Sequence, residues 1–430
     1  MASTRIAFQT FGCKLNFAES STLARQLREE GYEVVDHKED ADIYVINSCV
    51  VTANAEKKCR AAIRQARKRN KDATIAIVGC FSQMAEDSLS KMKEVDLILG
   101  TEEKFQLKDY LKKNETIEPC FSQVGDIGKS RTFTPSWSSG DRTRSFLKIQ
   151  DGCDYFCTYC TIPLARGRSR SASISNTMAT AREVASAGMR EIILTGVNIG
   201  DFGKPNGESF FDLMKELDTL EGIDRIRISS IEPELLDEKM IAYISDSSKF
   251  LPHFHIPLQS GSDPVLRMMN RKYKRGVFAR RVREIKNHMP HACIAADVII
   301  GFPGETDDYF KETHDFLESL DVSYMHVFTY SERPGTKAVM ISGKVPANVK
   351  RERSKALHEL SDRKKRDFYR QNTGSVQNVL FESDNSNGYM HGFTGNYLKV
   401  KTKFNEDLIN QIVAVKLDRL ESAYCFVYVP

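Results

Sequence analysis

The sequence predicts an α/β chain of three successive units: an N-terminal doubly wound α/β domain, a central incomplete (βα)6 barrel and a small C-terminal β-barrel. Three observations carry this prediction. Residues 1–112 alternate short apolar runs with amphipathic ones, a second alternation of the same kind begins at Arg144, and beyond Gly374 the pattern turns to short alternating strands.

In the first unit (1–125), Ile6-Ala7-Phe8, Glu33-Val34-Val35, Ile43-Tyr44-Val45-Ile46, Thr74-Ile75-Ala76-Ile77-Val78 and Val95-Asp96-Leu97-Ile98-Leu99 read as buried parallel strands, with helices at 17–30, 53–70, 82–92 and 103–112. Cys13, Cys49 and Cys80 each follow one of these strands. In an open parallel sheet the loops at the carboxyl ends of the strands share one crevice, so three βα turns could deliver three thiols to a single inorganic centre. Any one of them alone would read as a small hydrophobe at a strand end. Cys59, Cys120, Cys293 and Cys425 lack such company and read as core or incidental residues. The second helix carries Lys57, Lys58, Arg60, Arg64, Arg67, Lys68 and Arg69, with Lys71 just beyond and no acid among them. Such a run suits a polyanion, or a solvated helix face.

A Gly-, Pro- and Ser-containing stretch follows, and residues 126–142 read as a weakly ordered connector that Trp137 anchors to a neighbour. The central unit (143–345) has strand candidates at 145–150, 191–195, 225–230, 253–258, 293–300 and 324–330, too few for a full eight-strand barrel. Its first strand runs into Cys153-Asp154-Tyr155-Phe156-Cys157-Thr158-Tyr159-Cys160. Thiolates are the usual ligands of iron–sulfur clusters, and three of them on a four-iron cubane leave one iron for a non-protein ligand. Zinc would ask for a closed set of four, yet no second cysteine hook follows and the nearest histidines, His253 and His255, lie far downstream.

Each later strand ends in a polar or glycine-rich phrase that permits close approach of a ligand: Gly196-Val197-Asn198, Ser229-Ser230-Ile231-Glu232, Gln259-Ser260-Gly261, Gly301-Phe302-Pro303-Gly304-Glu305 and Ser331-Glu332-Arg333-Pro334-Gly335-Thr336. Ordinary turns would explain any single one. Arg166, Arg168 and Arg170 alternate after the cysteine loop, either as guanidinium forks for phosphate or carboxylate or as part of a solvated loop. Residues 346–372 read as a charged, mainly basic helix that includes Arg363-Lys364-Lys365-Arg366. Residues 373–430 supply five short strands of oligonucleotide-binding-barrel size, a fold that does not by itself fix a ligand.

The chain of 430 residues has a net charge of only +4, so any basic surface is local. No export signal opens it and no apolar run would cross a bilayer, which places it in the cytoplasm, where its ten cysteines stay reduced and serve as metal ligands or core residues.

The spacing Cys-x3-Cys-x2-Cys, with Tyr159 before the last cysteine, resembles the radical S-adenosylmethionine signature. Over nearly the whole chain the sequence resembles the radical S-adenosylmethionine methylthiotransferases, through Thr10-Phe11-Gly12-Cys13-Lys14-Leu15-Asn16, Asn47-Ser48-Cys49, Val78-Gly79-Cys80, Gln150-Asp151-Gly152-Cys153, Pro257-Leu258-Gln259-Ser260-Gly261-Ser262 and Gly301-Phe302-Pro303-Gly304-Glu305-Thr306. Asn47-Ser48-Cys49-Val50-Val51-Thr52, Gly79-Cys80-Phe81-Ser82-Gln83 and Arg227-Ile228-Ser229-Ser230-Ile231-Glu232-Pro233 are most similar to the branch that modifies threonylcarbamoyladenosine in tRNA. Other branches act on isopentenyladenosine in tRNA or on an aspartate of a ribosomal protein, and a two-cluster RNA-binding sensor without turnover is the reading from another class.

The resemblance implies a TRAM-like C-terminal barrel and two 4Fe–4S clusters, one on Cys13, Cys49 and Cys80, the other on Cys153, Cys157 and Cys160. It implies two S-adenosylmethionine molecules, one methylating a sulfur on the first cluster and one yielding the 5′-deoxyadenosyl radical that takes hydrogen from carbon 2 of adenine. Tyr159, Gly196, Asn198, Ser230, Glu232, Gln259, Gly301 and Pro303 are the expected cofactor contacts. Thr195-Gly196-Val197-Asn198 stands where the wider superfamily has Gly-Gly-Glu, which makes Asn198 the candidate partner of the cofactor's amino group. Arg166, Arg168, Arg170, Arg333, Lys57, Arg60, Arg64, Lys364 and Lys365 are the expected contacts to a tRNA anticodon stem-loop. The remaining expectations are a monomer, no membrane and a reductant such as flavodoxin.

Overall fold

The computed structural model describes residues 3–50, 53–113, 120–140, 143–421 and 424–429; Val51 and Thr52 of the motif after Cys49, and residues 141–142 of the expected connector, lie outside them. The apolar runs of the first unit form a parallel sheet of β1 (Arg5–Thr10), β2 (Glu33–Val35), β3 (Ile43–Ser48), β4 (Thr74–Gly79), β5 (Leu97–Leu99) and β6 (Phe121–Gln123), in the order β2-β1-β3-β4-β5-β6. Every residue of β3 is buried because helices α1 (Lys14–Glu29), α2 (Ala53–Arg69), α3 (Cys80–Leu89) and α4 (Leu107–Lys113) cover both faces. Ile46, Ile63 and Ile77 belong to the core on one face, Leu23, Val45 and Val78 to the core on the other.

The stretch expected to be weakly ordered contributes β7 (Ser136–Trp137), which pairs antiparallel with β8 (Arg144–Lys148), and β6 just before it is a strand that the sequence reading did not give. Strands of two or three residues carry almost no periodicity, so the sequence signal there was only the turn residues. Trp137 is the expected anchor, and its neighbour is α1. The Arg25 guanidinium lies 3.8 Å from the indole centroid and donates to the Trp137 carbonyl at 2.9 Å.

The second alternation builds β9 (Gln150–Asp151), α5 (Ile162–Arg166), β10 (Arg170–Ser171), α6 (Ile174–Ser186), β11 (Glu191–Thr195), α7 (Phe210–Asp218), β12 (Arg225–Ile228), α8 (Glu238–Asp246), β13 (His253–Gln259), α9 (Asp263–Met268), α10 (Arg275–His288), β14 (Cys293–Ile300), α11 (Asp307–Ser319) and β15 (Tyr324–Thr329). β8, β11 and β12 pair in parallel, as do β13, β14 and β15. Bridges at Ile226–Phe250 and Ser230–His255 join the two groups into an incomplete barrel.

Side chains alternate along each strand. Leu147, Ile192, Leu194, Ile226, Ile256 and Val298 pack under the helices. The alternate set, which includes Phe146, Ile193, Arg227, His253, His255, Tyr324 and His326, faces the concave side. Helix α1 enters that concavity, with Ala18 packed against Phe146 and Ile193.

Helix α12 (Ala347–Gln371) crosses β15 and leads into a strand-rich half-barrel of β16 (Val376–Phe381), β17 (Tyr389–Thr394), β18 (Lys399–Lys403), β19 (Ile412–Lys416), β20 (Arg419–Leu420) and β21 (Phe426–Val427). Three arginines of β8 and β12 hold it. Arg144 pairs with Glu382 at 2.9 Å, Arg225 donates to the Phe393 carbonyl at 3.0 Å, and Arg227 donates to the Gly395 carbonyl at 3.0 Å. Among the described residues no helix is long and apolar enough to cross a membrane.

Candidate functional site at two cysteine loops

The loop carrying Cys153, Cys157 and Cys160 is fixed from several directions. Gly152 has φ +69°, and a Cβ there would sit 1.9 Å from the Arg168 carbonyl oxygen, so only glycine fits. Cys153 N–H donates to the Gly167 carbonyl at 3.1 Å and Thr158 N–H to the Met269 carbonyl at 3.0 Å. Asn270 Nδ2 caps the Phe156 carbonyl at 3.1 Å, and Phe156 itself is left-handed at φ +50°.

Each sulfur accepts a hydrogen bond: Cys153 from Tyr155 N–H at 3.5 Å, Cys160 from Ile162 N–H at 3.4 Å, and Cys157 from Arg271 Nη1 at 3.2 Å. Burial pushes the Cys153 and Cys160 thiols up to about 12, so they would lose their protons only on binding a metal. Three sulfurs, that of Cys157 buried and those of Cys153 and Cys160 half-buried, with N–H donors aimed at them fit thiolate-ligated iron.

The other triad lies at one edge of the first sheet, as parallel topology requires. Cys13 precedes α1, Cys49 follows β3 and Cys80 opens α3. Gly12, at φ +106°, brings the first loop so close to the second that an added Cβ would lie 3.0 Å from Cys49 Sγ. Asn16 Nδ2 ties the same two loops, donating to the Phe11 carbonyl at 2.7 Å and the Ser48 carbonyl at 3.0 Å. Burial raises the Cys80 thiol against the opposing fields of Arg166 and Lys104.

Between the triads runs a buried ionic network that sequence reading missed. Glu19 of α1 meets Lys104 at 2.6 Å, Lys148 at 2.9 Å and Arg166 at 3.0 Å. Asp151, beside the second cysteine loop, meets Lys148 at 2.8 Å, Arg166 at 2.9 Å and Arg170 at 3.4 Å. Arg166 Nη2 also reaches Asn16 Oδ1 at 2.5 Å. Burial opposes ionisation of both carboxylates, but the surrounding cations outweigh it and hold both well below the usual range.

Two expected RNA contacts are therefore corrected. Arg166 and Arg170 turn inward to these carboxylates, and only Arg168 of the three reaches solvent. The visible signal was an unpaired acid in each partner segment, Glu19 and Asp151, but nothing in the sequence says that they meet.

Two cavities adjoin the triads. The larger, about 510 Å³, is walled by Cys13, Lys14, Thr195, Gly196, Arg227, Ser230, His253, His255, His326 and Tyr397. The smaller, about 210 Å³, is walled by Tyr159, Cys160, Gln259, Asp297, Thr329 and Arg333. His255 Nε2 and Asp297 Oδ1, 2.7 Å apart, connect the two walls. With His326 they bring three donor atoms within 4.8 Å of one another, a set able to ligate a cation.

Among expected cofactor contacts, Tyr159 and Gln259 wall the smaller cavity, and Gly196 and Ser230 the larger. Four others differ. Asn198 is buried with its amide donating to Asp201 at 2.8 Å. Glu232 is ion-paired to Arg271, and burial raises its carboxyl to about 7. Gly301 and Pro303 wall neither cavity; the Gly301 and Phe302 N–H groups cap Glu305, and Gly301 faces the Lys350 side chain.

Of the remaining cationic candidates, Lys57 and Arg64 are exposed on α2, while Arg60 bonds Ser88 at 2.8 Å. Arg333 is buried against Glu56 of α2. Lys364 caps the Leu320 carbonyl at 2.7 Å, and Lys365 lies 4.4 Å from the Tyr424 ring centroid. These last three are engaged within the chain.

Comparison with known proteins agrees with this division. Residues 5–100 match the model described as "Uncharacterized protein family UPF0004" and residues 147–317 the radical SAM superfamily. The threonylcarbamoyladenosine tRNA methylthiotransferase MtaB of Bacillus subtilis is 39% identical over 96% of this chain and 93% of its own length. That of Aquifex aeolicus is 38% identical over 92% and 96%. The tRNA-2-methylthio-N(6)-dimethylallyladenosine synthase of Clostridium tetani is 33% identical over 96% and 93%.

In fold alone, the chain is similar to the radical S-adenosylmethionine methyltransferase TsrM of Kitasatospora setae, solved with cobalamin and a 4Fe–4S cluster. The TM-score is 0.54 at 13% identity over 91% of this chain and 77% of that one. With full-length relatives above one-third identity and both cysteine loops in place, the chain belongs to the radical S-adenosylmethionine methylthiotransferases.

Proposed function

We propose that this chain adds a methylthio group to carbon 2 of N6-threonylcarbamoyladenosine at tRNA position 37. The observation that carries the reading is the larger cavity, in which Cys13 of the first triad and the inward side chains of the barrel strands face one space. A nucleobase seated there would stand beside one cysteine loop and next to the smaller cavity that borders Cys160.

Cys13, Cys49 and Cys80 would hold one 4Fe–4S cluster, and Cys153, Cys157 and Cys160 another. Bound there with S-adenosylmethionine, such clusters supply the one-electron chemistry that an inert aromatic C–H requires and side-chain acids and bases cannot. The chain's own part is to bind and orient. Tyr159 and Gln259 border the space for a cofactor beside Cys160, Gly196 and Ser230 let a ligand approach the barrel wall, and Arg168, Lys57 and Arg64 remain exposed for the anticodon stem-loop. Electrons would come from an external donor such as flavodoxin, to a monomer in the cytoplasm.

Mass spectrometry of tRNA nucleosides from cells lacking the protein tests the proposal. Loss of 2-methylthio-N6-threonylcarbamoyladenosine with accumulation of its precursor is expected. Loss of the isopentenyl counterpart instead would assign the chain to the other tRNA branch.

A further inference from the structure

The larger cavity holds a lysine without a direct ion-pair partner. Lys14 lines it and, among the described residues, has no hydrogen-bond or ion-pair partner. Asp297, the carboxylate whose charge reaches Lys14, is bonded to His255 at 2.7 Å, and the lining Arg227 and Arg144 are themselves paired with Glu191 at 3.0 Å and Glu382 at 2.9 Å. A second observation points to a polar occupant. His253 is buried on the same wall with neither ring nitrogen hydrogen-bonded, and the Thr195 hydroxyl is likewise unpartnered. Leaving such groups unmet when a ligand displaces water costs free energy, so an alkyl substituent would be penalised here and a polar anionic one favoured.

We propose that Lys14 anchors a carboxylate carried on the N6 substituent of the target adenine, with His253 and Thr195 meeting that substituent's other polar groups. This rests on the proposed function and adds what selects the base. A threonylcarbamoyl group has a carboxylate, a hydroxyl and a urea, whereas an isopentenyl group has none of them. A charge-assisted hydrogen bond in a partly desolvated site is enough for at least tenfold discrimination.

The test uses the cluster-loaded enzyme and three anticodon stem-loops, carrying N6-threonylcarbamoyladenosine, its neutral methyl ester, or N6-isopentenyladenosine. Binding is read by fluorescence anisotropy and turnover as kcat/KM. The wild type should bind the acid at least tenfold more tightly than the ester. Lys14→Gln should abolish that preference and leave affinity for the isopentenyl stem-loop within twofold, and Lys14→Arg should restore the preference. Because Lys14 adjoins Cys13, His253→Phe provides a second variant on barrel strand β13, outside both cysteine loops, expected to weaken the acid several-fold and spare the isopentenyl RNA.

Equal wild-type affinity for acid and ester, or retention of the acid preference in both Lys14→Gln and His253→Phe, would overturn the assignment. Turnover distinguishes this from failure of the broader reading. Wild-type enzyme that methylthiolates the acid without preferring it over the ester refutes only the Lys14 anchor, whereas wild-type enzyme that modifies only the isopentenyl RNA refutes both.

Discussion

Arg166 and Glu19 form a two-pronged ion pair, Nη1 to Oε1 at 3.0 Å and Nη2 to Oε2 at 3.1 Å, with both side chains wholly buried. Glu19 belongs to the helix that begins just after Cys13, and Arg166 to the helix just after Cys160. Around them Lys104, Lys148 and Arg170 join Arg166 as cations against Glu19 and Asp151, and this surplus of positive charge among the described residues faces the first triad, where Arg166 and Lys104 pull on the Cys80 thiol. The geometry couples the two triads and opposes the negative charge that thiolate-ligated iron would bring.

Glu19→Gln should destabilise the chain by about 3–5 kcal/mol, because Lys104, Lys148 and Arg166 would remain buried without their common anion. Glu19 and Asp151 are held below their ordinary range, so their contribution is present above the unfolded carboxyl value of about 4 and lost as pH falls through the folded values. Denaturation curves of wild type and variant should therefore be well separated at neutral pH and converge only in acid. Equal separation throughout would show that Glu19 acts through packing alone.

Gly152→Ala should prevent iron loading on the second triad. The new methyl carbon would lie 1.9 Å from a backbone carbonyl oxygen on a residue at φ +69°, and no flexible side chain can yield there. Iron per chain should fall by about half after anaerobic reconstitution, with the first triad still loaded. Full iron content in this variant would contradict the geometry.

What the sequence made legible was whatever local spacing or strand periodicity controls. Cys153, Cys157 and Cys160 share one loop, so their covalent spacing alone brings them together. Cys13, Cys49 and Cys80 share an edge because each follows a parallel strand. Arg166 and Arg170 were misplaced because side-chain direction in a loop depends on its partner, and Glu19 is far away in sequence. Gly301 and Pro303 were misplaced for a related reason: their phrase caps Glu305 and packs on α12, and a tight turn reads the same whether it cradles a ligand or a helix. The strand sites of Lys148, His253 and His255 did carry a signal, a polar residue at alternate positions of an otherwise apolar strand, which marks a polar concave face.

Arg271→Met should lower the midpoint potential of a cluster on Cys153, Cys157 and Cys160. Arg271 supplies both a hydrogen bond to Cys157 Sγ at 3.2 Å and a positive charge beside the sulfur, and reduction adds negative charge there. Loss of a charged hydrogen bond corresponds to a shift on the order of 50–100 mV for a one-electron couple. Reductive titration followed by electron paramagnetic resonance reads it directly, and an unchanged potential would leave Arg271 only its pairing with Glu232.

Replacing Cys13, Cys49 or Cys80 with Ala should abolish methylthio transfer while leaving 5′-deoxyadenosine formation from S-adenosylmethionine in place. The two triads sit on different sheets and have separate supporting contacts, Asn16 and Gly12 for one, Asn270 and Met269 for the other. Chromatography of the products under reducing, anaerobic conditions separates the two outputs. Methylthiolated RNA from any of these variants would remove the first triad from the reaction.

The exposed basic face of α2 gives the last expectation. Lys57 and Arg64 reach solvent, whereas Arg60 and Arg67 on the same helix are held by Ser88 at 2.8 Å and Asp96 at 2.5 Å. Contacts to phosphate release counterions, so each one removed should reduce the slope of log affinity against log salt by about 1. Lys57→Gln and Arg64→Gln, measured with a full-length tRNA across a salt series, should each flatten that slope and weaken modified and unmodified tRNA alike. Arg67→Gln, whose guanidinium is tied to Asp96, should leave the slope unchanged while lowering stability. If the slope instead responds to Arg67 and not to Lys57 or Arg64, the RNA does not run along this face of the helix.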